Sequence, residues 1–349
     1  MINTAYYKDL TRMNTFGMKV KAKCFIEYDS IADLVDIEFE ELTRPVLHIG
    51  GGSNLLFTDD FKGTVLHSKI DFIEILEQEA ETSSSVLVSV GAGVNFDDFC
   101  DWAAKEGLWG VENLSDIPGE VGAAAVQNIG AYGVEVKDVI KTVYCYDTEE
   151  EEFVSFSNEE CEYGYRDSAF KDPEIKGRYI VTHVVFELSR EPRPCLDYGH
   201  LKSAVEAATS DTLTPSLIRR VIIKTRKEKL PDPSVMGSAG SFFKNPVISA
   251  EHFKKIEQAA KAELGAEYEV PHYDLPDGTV KVPAAWMIER CGWKGRRSGG
   301  AAVYEKQPLV IVNYTGEAYP EEIVGLERRI IASVKDKFGV ELHPEVEHI

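Results

Sequence analysis

Leu114 to Val134 reads LSDIPGEVGAAAVQNIGAYGV, and the way this stretch is understood decides what kind of molecule the chain forms. Glycines at 119, 122, 130 and 133 make it too glycine-rich for a helix, and it holds too few polar residues for an ordinary surface loop. Two readings follow. The backbone lies against something flat or polyanionic, such as a bound cofactor, or it is a buried Gly/Ala crossover.

A second glycine-rich turn lies upstream. Pro45 to Phe57 reads PVLHIGGGSNLLF, in which an apolar run meets Gly50, Gly51 and Gly52, then Ser53 and Asn54, then another apolar run. The pattern predicts a strand, a tight turn and a strand. Bare backbone N–H groups at such a turn suit a pyrophosphate, while a plain hairpin end would read the same. The spacing is neither G-x-G-x-x-G nor a P-loop, since no Lys-Ser/Thr follows and no helical pattern begins. His48, alone in its apolar run, reads as a strand residue.

A third stretch, Gly237 to Pro246, reads GSAGSFFKNP. Its small residues let a backbone approach a ligand, Phe242 and Phe243 can exclude water, and Lys244 and Asn245 can hold polar groups around Ser241. The alternative is a Gly/Ser connection between two elements. Tyr165, Arg166 and Asp167, within Cys161 to Lys171 (CEYGYRDSAFK), can present a guanidinium fork to a carboxylate or phosphate, or a surface arginine held by its neighbouring aspartate.

The chain has 349 residues, 44% of them apolar and 28% charged, which suits a folded protein with room for two or three domains. A formal net charge of −21 argues against nucleic acid or an anionic membrane as partner. Six cysteines with no C-x-x-C pair suggest neither a metal site nor a disulfide framework. The segment MINTAYYKDL lacks the apolar core of an export signal, and no run of 18 apolar residues occurs, so a cytoplasmic protein without membrane insertion is expected.

In chain order, Ser84 to Gly93 predicts a strand, and Asn95 is placed to cap a helix running to Gly107. Val139 to Tyr146 and Arg178 to Leu188 predict strands, with an acidic turn after the first. Beyond Pro192 and Pro194 the pattern turns helical, which marks a domain boundary near residues 192–215. Lys224, Arg226, Lys227 and Lys229 close the stretch Thr214 to Leu230, either as a solvated helix end or as a phosphate pocket. The last third predicts helices at about 249–264, 283–291 and 319–338 around short strands such as LVIVNY, an α+β arrangement.

Taken together, GGGSNLLF, IPGEVGAAAVQNIGAYGVEV, CEYGYRDSAFK, KLPDPSVMGSAGSFFKNP, AAWMIERCGWKG and a C-terminal PEV closely resemble the UDP-N-acetylenolpyruvoylglucosamine reductase family, flavoenzymes of bacterial peptidoglycan synthesis. The likeness runs from Asn14 to the C-terminus, and Tyr198-Gly-His-Leu resembles the longer subtype, in which a tyrosine loop folds over the substrate. The resemblance implies an α+β protein: an FAD-binding domain of the PCMH or vanillyl-alcohol-oxidase type, in two subdomains at 1–70 and 71–212, then an α+β substrate-binding domain at 213–349. The last strand is free to return to the first subdomain. The implied reaction is NADPH-dependent reduction of UDP-N-acetylglucosamine enolpyruvate to UDP-N-acetylmuramate through non-covalent FAD, with both substrates taking turns in one cleft of a cytoplasmic monomer.

Carried onto this sequence, the family's proton donor is Ser241, and its other catalytic residues are Arg166 and Glu345. Gly50, Gly51, Gly52, Ser53 and Asn54, with Ser115, Ile117, Pro118, Gly119 and Gly122, are implied FAD contacts, as are Gln127, Asn128, Gly130 and Ala131. Tyr132, Tyr198, Arg226, Lys229, Asn245 and Arg290 are implied substrate contacts, and no metal is implied. The chain departs from the family after PEV, where Glu347 stands in place of a common arginine. Two other classes stay open on the sequence: a flavin oxidase of the same superfamily acting on a sugar or alcohol, and a flavoprotein that senses UDP-sugars without turnover.

Overall fold

The computed structural model describes residues 1–76, 84–208 and 212–349. Its chain divides into two compact units, one formed by Met1–Leu10, Val20–Gly52 and Asp60–Glu228, the other by Thr11–Lys19, Ser53–Asp59 and Lys229–Ile349.

Among the described residues the first unit holds two larger sheets and a two-stranded one, Gly130–Ala131 with Val134–Glu135. The four-stranded sheet runs in the order Ile2–Asp9, Lys21–Tyr28, Phe61–Ser68, Val46–Ile49; the first pair is antiparallel and the others are parallel. The five-stranded sheet is antiparallel, in the order Glu152–Ser157, Ile140–Asp147, Tyr179–Ser189, Ser85–Gly91, Ile73–Ile75. Side chains alternate across a strand, and here both faces are used. Cys145, Val181 and Val184 pack with Phe99, Val121 and Ala125 of two helices, whereas Tyr146 and Ile180 pack with Cys24, Ile26 and Leu66 of the four-stranded sheet.

Asn95 caps the helix Phe96–Lys105, its side chain accepting from the backbone N–H groups of Asp97 and Asp98. Arg219, on the helix Pro215–Lys229, donates to Asp97 at 2.9 Å and to Asp101 at 3.2 Å. This buried fork keeps nearly all of that helix with the first unit, although the sequence reading assigned residues from 213 onward to the substrate domain.

In the second unit, the antiparallel order is Gly237–Ser238, Ile311–Asn313, Ala301–Val303, Arg297–Ser298. The long helix Pro320–Phe338 buries Ile323, Leu326, Ile330 and Val334, the apolar stripe of a 3.6-residue period. Pro320 opens that helix, and Gly339, at φ 66°, ends it in the left-handed region. A smaller sheet, Val247–Ser249, Thr279–Lys281, Tyr273–Asp274, adjoins the helix Ala250–Leu264, which Ser249 caps. The expected helices at 249–264, 283–291 and 319–338 correspond to Ala250–Leu264, Ala284–Arg290 and Pro320–Phe338.

Two expectations are corrected. Val121–Gln127, inside the stretch judged too glycine-rich for a helix, is helical, because Gly122 is selected for close packing: a Cβ there would lie 2.9 Å from that of Ala92. The strands flanking GGGSN do not form a hairpin. Val46–Ile49 pairs with Phe61–Ser68, and Leu55–Leu56 pairs in parallel with the C-terminal Glu347–His348.

Candidate active site

Within the first unit, two small-residue tracks run side by side. A Cβ on Gly51 would lie 3.4 Å from the Cα of Gly119, and one on Gly50 would lie 3.0 Å from the Cβ of Ala123 and 3.3 Å from Glu120 Oε2. Gly52 and Gly119 adopt φ of 61° and 131°, backbone that side chains disfavour. Beneath the tracks, His67 is 5% exposed and places Nδ1 2.9 Å from Glu27 and Nε2 2.9 Å from Glu120. The buried Ser115 hydroxyl donates to the carbonyl of Glu112, and Ile117 packs on the core.

On both sides of the Val121–Gln127 helix the backbone is strained repeatedly. Asp116, Asn128, Tyr132 and Arg166 all have positive φ, at 61°, 44°, 49° and 55°, uncommon for residues other than glycine. Such outliers persist only where surrounding bonds over-determine them, and they concentrate at functional sites. Here the bonds are visible. Asn128 donates to the carbonyl of Gly164 and accepts from the N–H of Lys137. Lys171 donates to the carbonyl of Arg166 and to the side chain of Gln127. The Arg166 guanidinium donates to the carbonyls of Gly130, at 2.6 Å, and Asn128, at 3.3 Å, and pairs with Glu135 at 3.6 Å.

Tyr132 meets Tyr198 edge to face, with ring centres 6.1 Å apart. Asn113 holds both segments, donating to the carbonyls of Tyr132 and Cys195. Arg226 donates to the carbonyl of Asp116 and lies 3.6 Å from its carboxylate. Burial pushes the Asp116 carboxyl and the Tyr132 hydroxyl up and the Arg226 guanidinium down from their ordinary values.

Within the second unit, the Ser241 loop lies along the C-terminal tail. Lys244 N–H donates to the carbonyl of His343 at 2.9 Å, Glu345 N–H donates to that of Phe242 at 2.8 Å, and Phe243 bridges Pro344 antiparallel. The backbone of Glu345 is thereby set against Phe242, the residue after Ser241, and both Phe242 and Phe243 are buried. The Asn54 side chain, expected to contact FAD, donates to the carbonyl of Glu345 at 3.0 Å, and its own carbonyl accepts from Glu347. Asn245 Oδ1 accepts from Ala284 N–H at the start of the helix Ala284–Arg290, while Arg290 ends that helix and lines a hollow with His252, Trp286 and Phe338. Lys229 is exposed at the end of its helix.

Sequence reasoning missed Asn113, the His67 trio and the pairing of Glu327 with His348. Glu327 did carry a signal, a carboxylate standing in the apolar stripe between Ile323 and Ile330.

Comparison with known proteins gives a consistent result. Residues 22–156 match an FAD binding domain, and residues 232–349 match the C-terminal domain of UDP-N-acetylenolpyruvoylglucosamine reductase. The enzyme of that name from Bacteroides fragilis strain YCH46 is 50% identical over 338 residues, covering 96% of this chain and 97% of its own. Its counterpart from Porphyromonas gingivalis strain ATCC 33277 is 44% identical over 346 residues, 97% of each chain. The crystal structure of the Thermus caldophilus reductase superimposes with a TM-score of 0.65 at 23% identity, covering 100% of this chain and 98% of that one, a likeness of fold. Among the described residues no helix is long and apolar enough to cross a membrane.

Residues 22–156 contain both small-residue tracks, and their lack of side-chain bulk suits a dinucleotide whose diphosphate must come close to the backbone.

Proposed function

Since the chain belongs to the UDP-N-acetylenolpyruvoylglucosamine reductase family, we propose specific roles for its residues in the reduction of UDP-N-acetylglucosamine enolpyruvate to UDP-N-acetylmuramate. The protein is an FAD-dependent oxidoreductase of peptidoglycan precursor synthesis that uses NADPH as reductant. The first unit serves as the FAD-binding part and the second as the substrate-binding part. Gly50 to Gly52 and Gly119 to Gly122 cradle the cofactor, with Ser115, Gln127 and Asn128 among the supporting groups. The enzyme works in the cytoplasm as a monomer.

When bound, FAD would supply the hydride chemistry, taking electrons from NADPH and passing them to the methylene carbon of the enol ether. Addition there leaves negative charge on the carbon beside the carboxylate, and that charge must be neutralised and then protonated. Arg166 opposes the charge with a guanidinium whose orientation is fixed by the Gly130 and Asn128 carbonyls. Ser241 delivers the proton. A serine hydroxyl is a poor acid in water, so it acts only when aimed at the carbanion and surrounded by donors that hold the alkoxide. Glu345 hydrogen-bonds the same carboxylate, a donor's role that requires the site to keep its carboxyl protonated. Tyr132, Tyr198, Arg226, Lys229, Asn245 and Arg290 bind the nucleotide-sugar.

The observation carrying this reading is the antiparallel contact of the Ser241 loop with the tail bearing Glu345, which puts a hydroxyl and a carboxyl from distant parts of the sequence on neighbouring backbone. The test is product analysis. The purified holoenzyme with NADPH should convert the enolpyruvate into a product two hydrogens heavier, in step with NADPH consumed. NADPH loss that proceeds equally without the enolpyruvate contradicts it.

A further inference from the structure

We propose that Glu327 and His348 form a pin that sets the register of the C-terminal tail, and so the placement of Glu345 beside the Ser241 loop. The proposal rests on the reading of Ser241 and Glu345 as reacting residues. Its structural basis is separate.

Glu327 is 7% exposed on the helix Pro320–Phe338, at a position where the stripe calls for an apolar side chain. Burying a carboxylate is costly unless it is paired. His348 supplies the pair, with Nε2 2.9 Å from Glu327 Oε2. The same imidazole meets Phe242, the residue after Ser241, edge to face with centres 6.1 Å apart. His348 thus touches both the helix and the serine loop.

The tail needs such a pin because its backbone pairing is short. Residues 347–348 pair with Leu55–Leu56, Ile349 N–H donates to Leu56, and Thr58 N–H donates back to Ile349. Upstream, the tail adds the contacts of Lys244 with His343, of Glu345 with Phe242, of the Asn54 side chain with the Glu345 carbonyl and of Glu347 N–H with Asn54, none of which reaches the helix Pro320–Phe338. Ladders of this length specify register weakly, and a slip of one residue turns every side chain to the opposite face. Such a slip would carry Glu345 away while preserving most backbone hydrogen bonds. A polar pair buried on its Glu327 side forms in one register alone, and fixing register is the best-attested use of such pairs. Glu327 and His348 are therefore positioning residues, acting through Glu345.

The test uses the FAD-loaded enzyme. Glu327→Leu restores the apolar stripe, so the variant should remain folded and at least as stable as the parent, yet lose the pin. Flavin bleaching by NADPH should stay within about two-fold, whereas reoxidation by the enolpyruvate should slow by roughly ten-fold or more, since small misplacements carry such losses. Amide exchange across residues 343–349 should quicken. Glu327→Gln, which keeps an acceptor for His348, should recover most of the rate. Should Glu327→Leu not fold, His348→Leu carries the same comparison. Parental reoxidation rates with unchanged exchange in these variants overturn the proposal. Failure of the unmodified enzyme to reoxidise with the enolpyruvate instead overturns the assigned reaction, and the exchange measurement still decides the pin.

Discussion

Arg166 and Gly130 meet closely, at a position where the carbonyl of Val134, 2.9 Å from where a Cβ on Gly130 would lie, leaves no room for a side chain. The guanidinium donates to the Gly130 carbonyl at 2.6 Å, and a Cβ on Gly130 would lie 3.0 Å from Arg166 Nη1 and 2.9 Å from Glu135 Cγ. The glycine is needed here for space, since its φ is not in the left-handed region, and the strained φ belongs to Arg166, at 55°.

Gly130→Ala therefore pushes the guanidinium off its carbonyl. We expect a destabilisation of about 1–3 kcal/mol, the usual range for overpacking, and a loss of roughly 10- to 100-fold in flavin reoxidation by the enolpyruvate. Urea unfolding and stopped-flow flavin absorbance measure the two effects. An alanine variant with parental values in both would show that the close approach does not position Arg166.

The half-buried His48 and the buried His67 of the first unit titrate in opposite senses. His48 bonds to the Tyr28 hydroxyl at 2.8 Å; burial and then the neighbouring His67 push its value down from 6.5 to about 3. Its contribution to stability is complete above pH 6.5 and falls as pH drops toward 3, at roughly 1.4 kcal/mol per unit. At His67 burial opposes the charge, but Glu120 and then Glu27 outweigh it and the value is raised from 6.5. Its contribution is complete below pH 6.5 and is lost as pH rises through the folded value. In urea midpoints across pH, His48→Gln should flatten the acid limb and His67→Gln the alkaline one. Parallel curves for the parent and both variants would contradict the assignment.

Gly237 is constrained by backbone. A Cβ there would lie 2.2 Å from the carbonyl oxygen of Phe16, which already accepts from Asn313 at 3.0 Å, and Ser238 N–H bonds to Thr15 next door. Gly237→Ala should cost about 1–3 kcal/mol or more, because the clashing atom is main chain and cannot rotate aside. A thermal midpoint equal to that of the parent would refute it.

Local signals were legible in the sequence where they were self-contained. Asn95 announced its helix through its capping side chain, and the Ile323, Ile330 and Val334 periodicity announced another. Glycine was the ambiguous letter. In Leu114 to Val134 it was read as backbone freedom throughout, yet Gly122 sits inside a helix because Ala92 leaves no room for a Cβ, while Gly133 does adopt a positive φ of 83°. Pairing between distant segments had no local signal, and only the resemblance left the last strand free to return to residues 1–70. Nothing local to Leu55–Leu56 indicates that its partner is Glu347–His348, or that Asn54, read as a cofactor contact, also holds the Glu345 carbonyl. The resemblance singled out Ser241, Arg166 and Glu345 as chemical groups, whereas Asn113, which holds the Tyr132 and Cys195 segments, and Glu327, which pairs with His348, emerged only from the packing.

The most direct measurement of the account separates the two half-reactions in Ser241→Ala. The variant, loaded with FAD, is reduced anaerobically by one equivalent of NADPH and then mixed with UDP-N-acetylglucosamine enolpyruvate. We predict bleaching at the parental rate, followed by reoxidation slowed by at least roughly 100-fold, the scale of a lost general acid. Reoxidation at the parental rate would contradict the assignment of Ser241 as the proton donor.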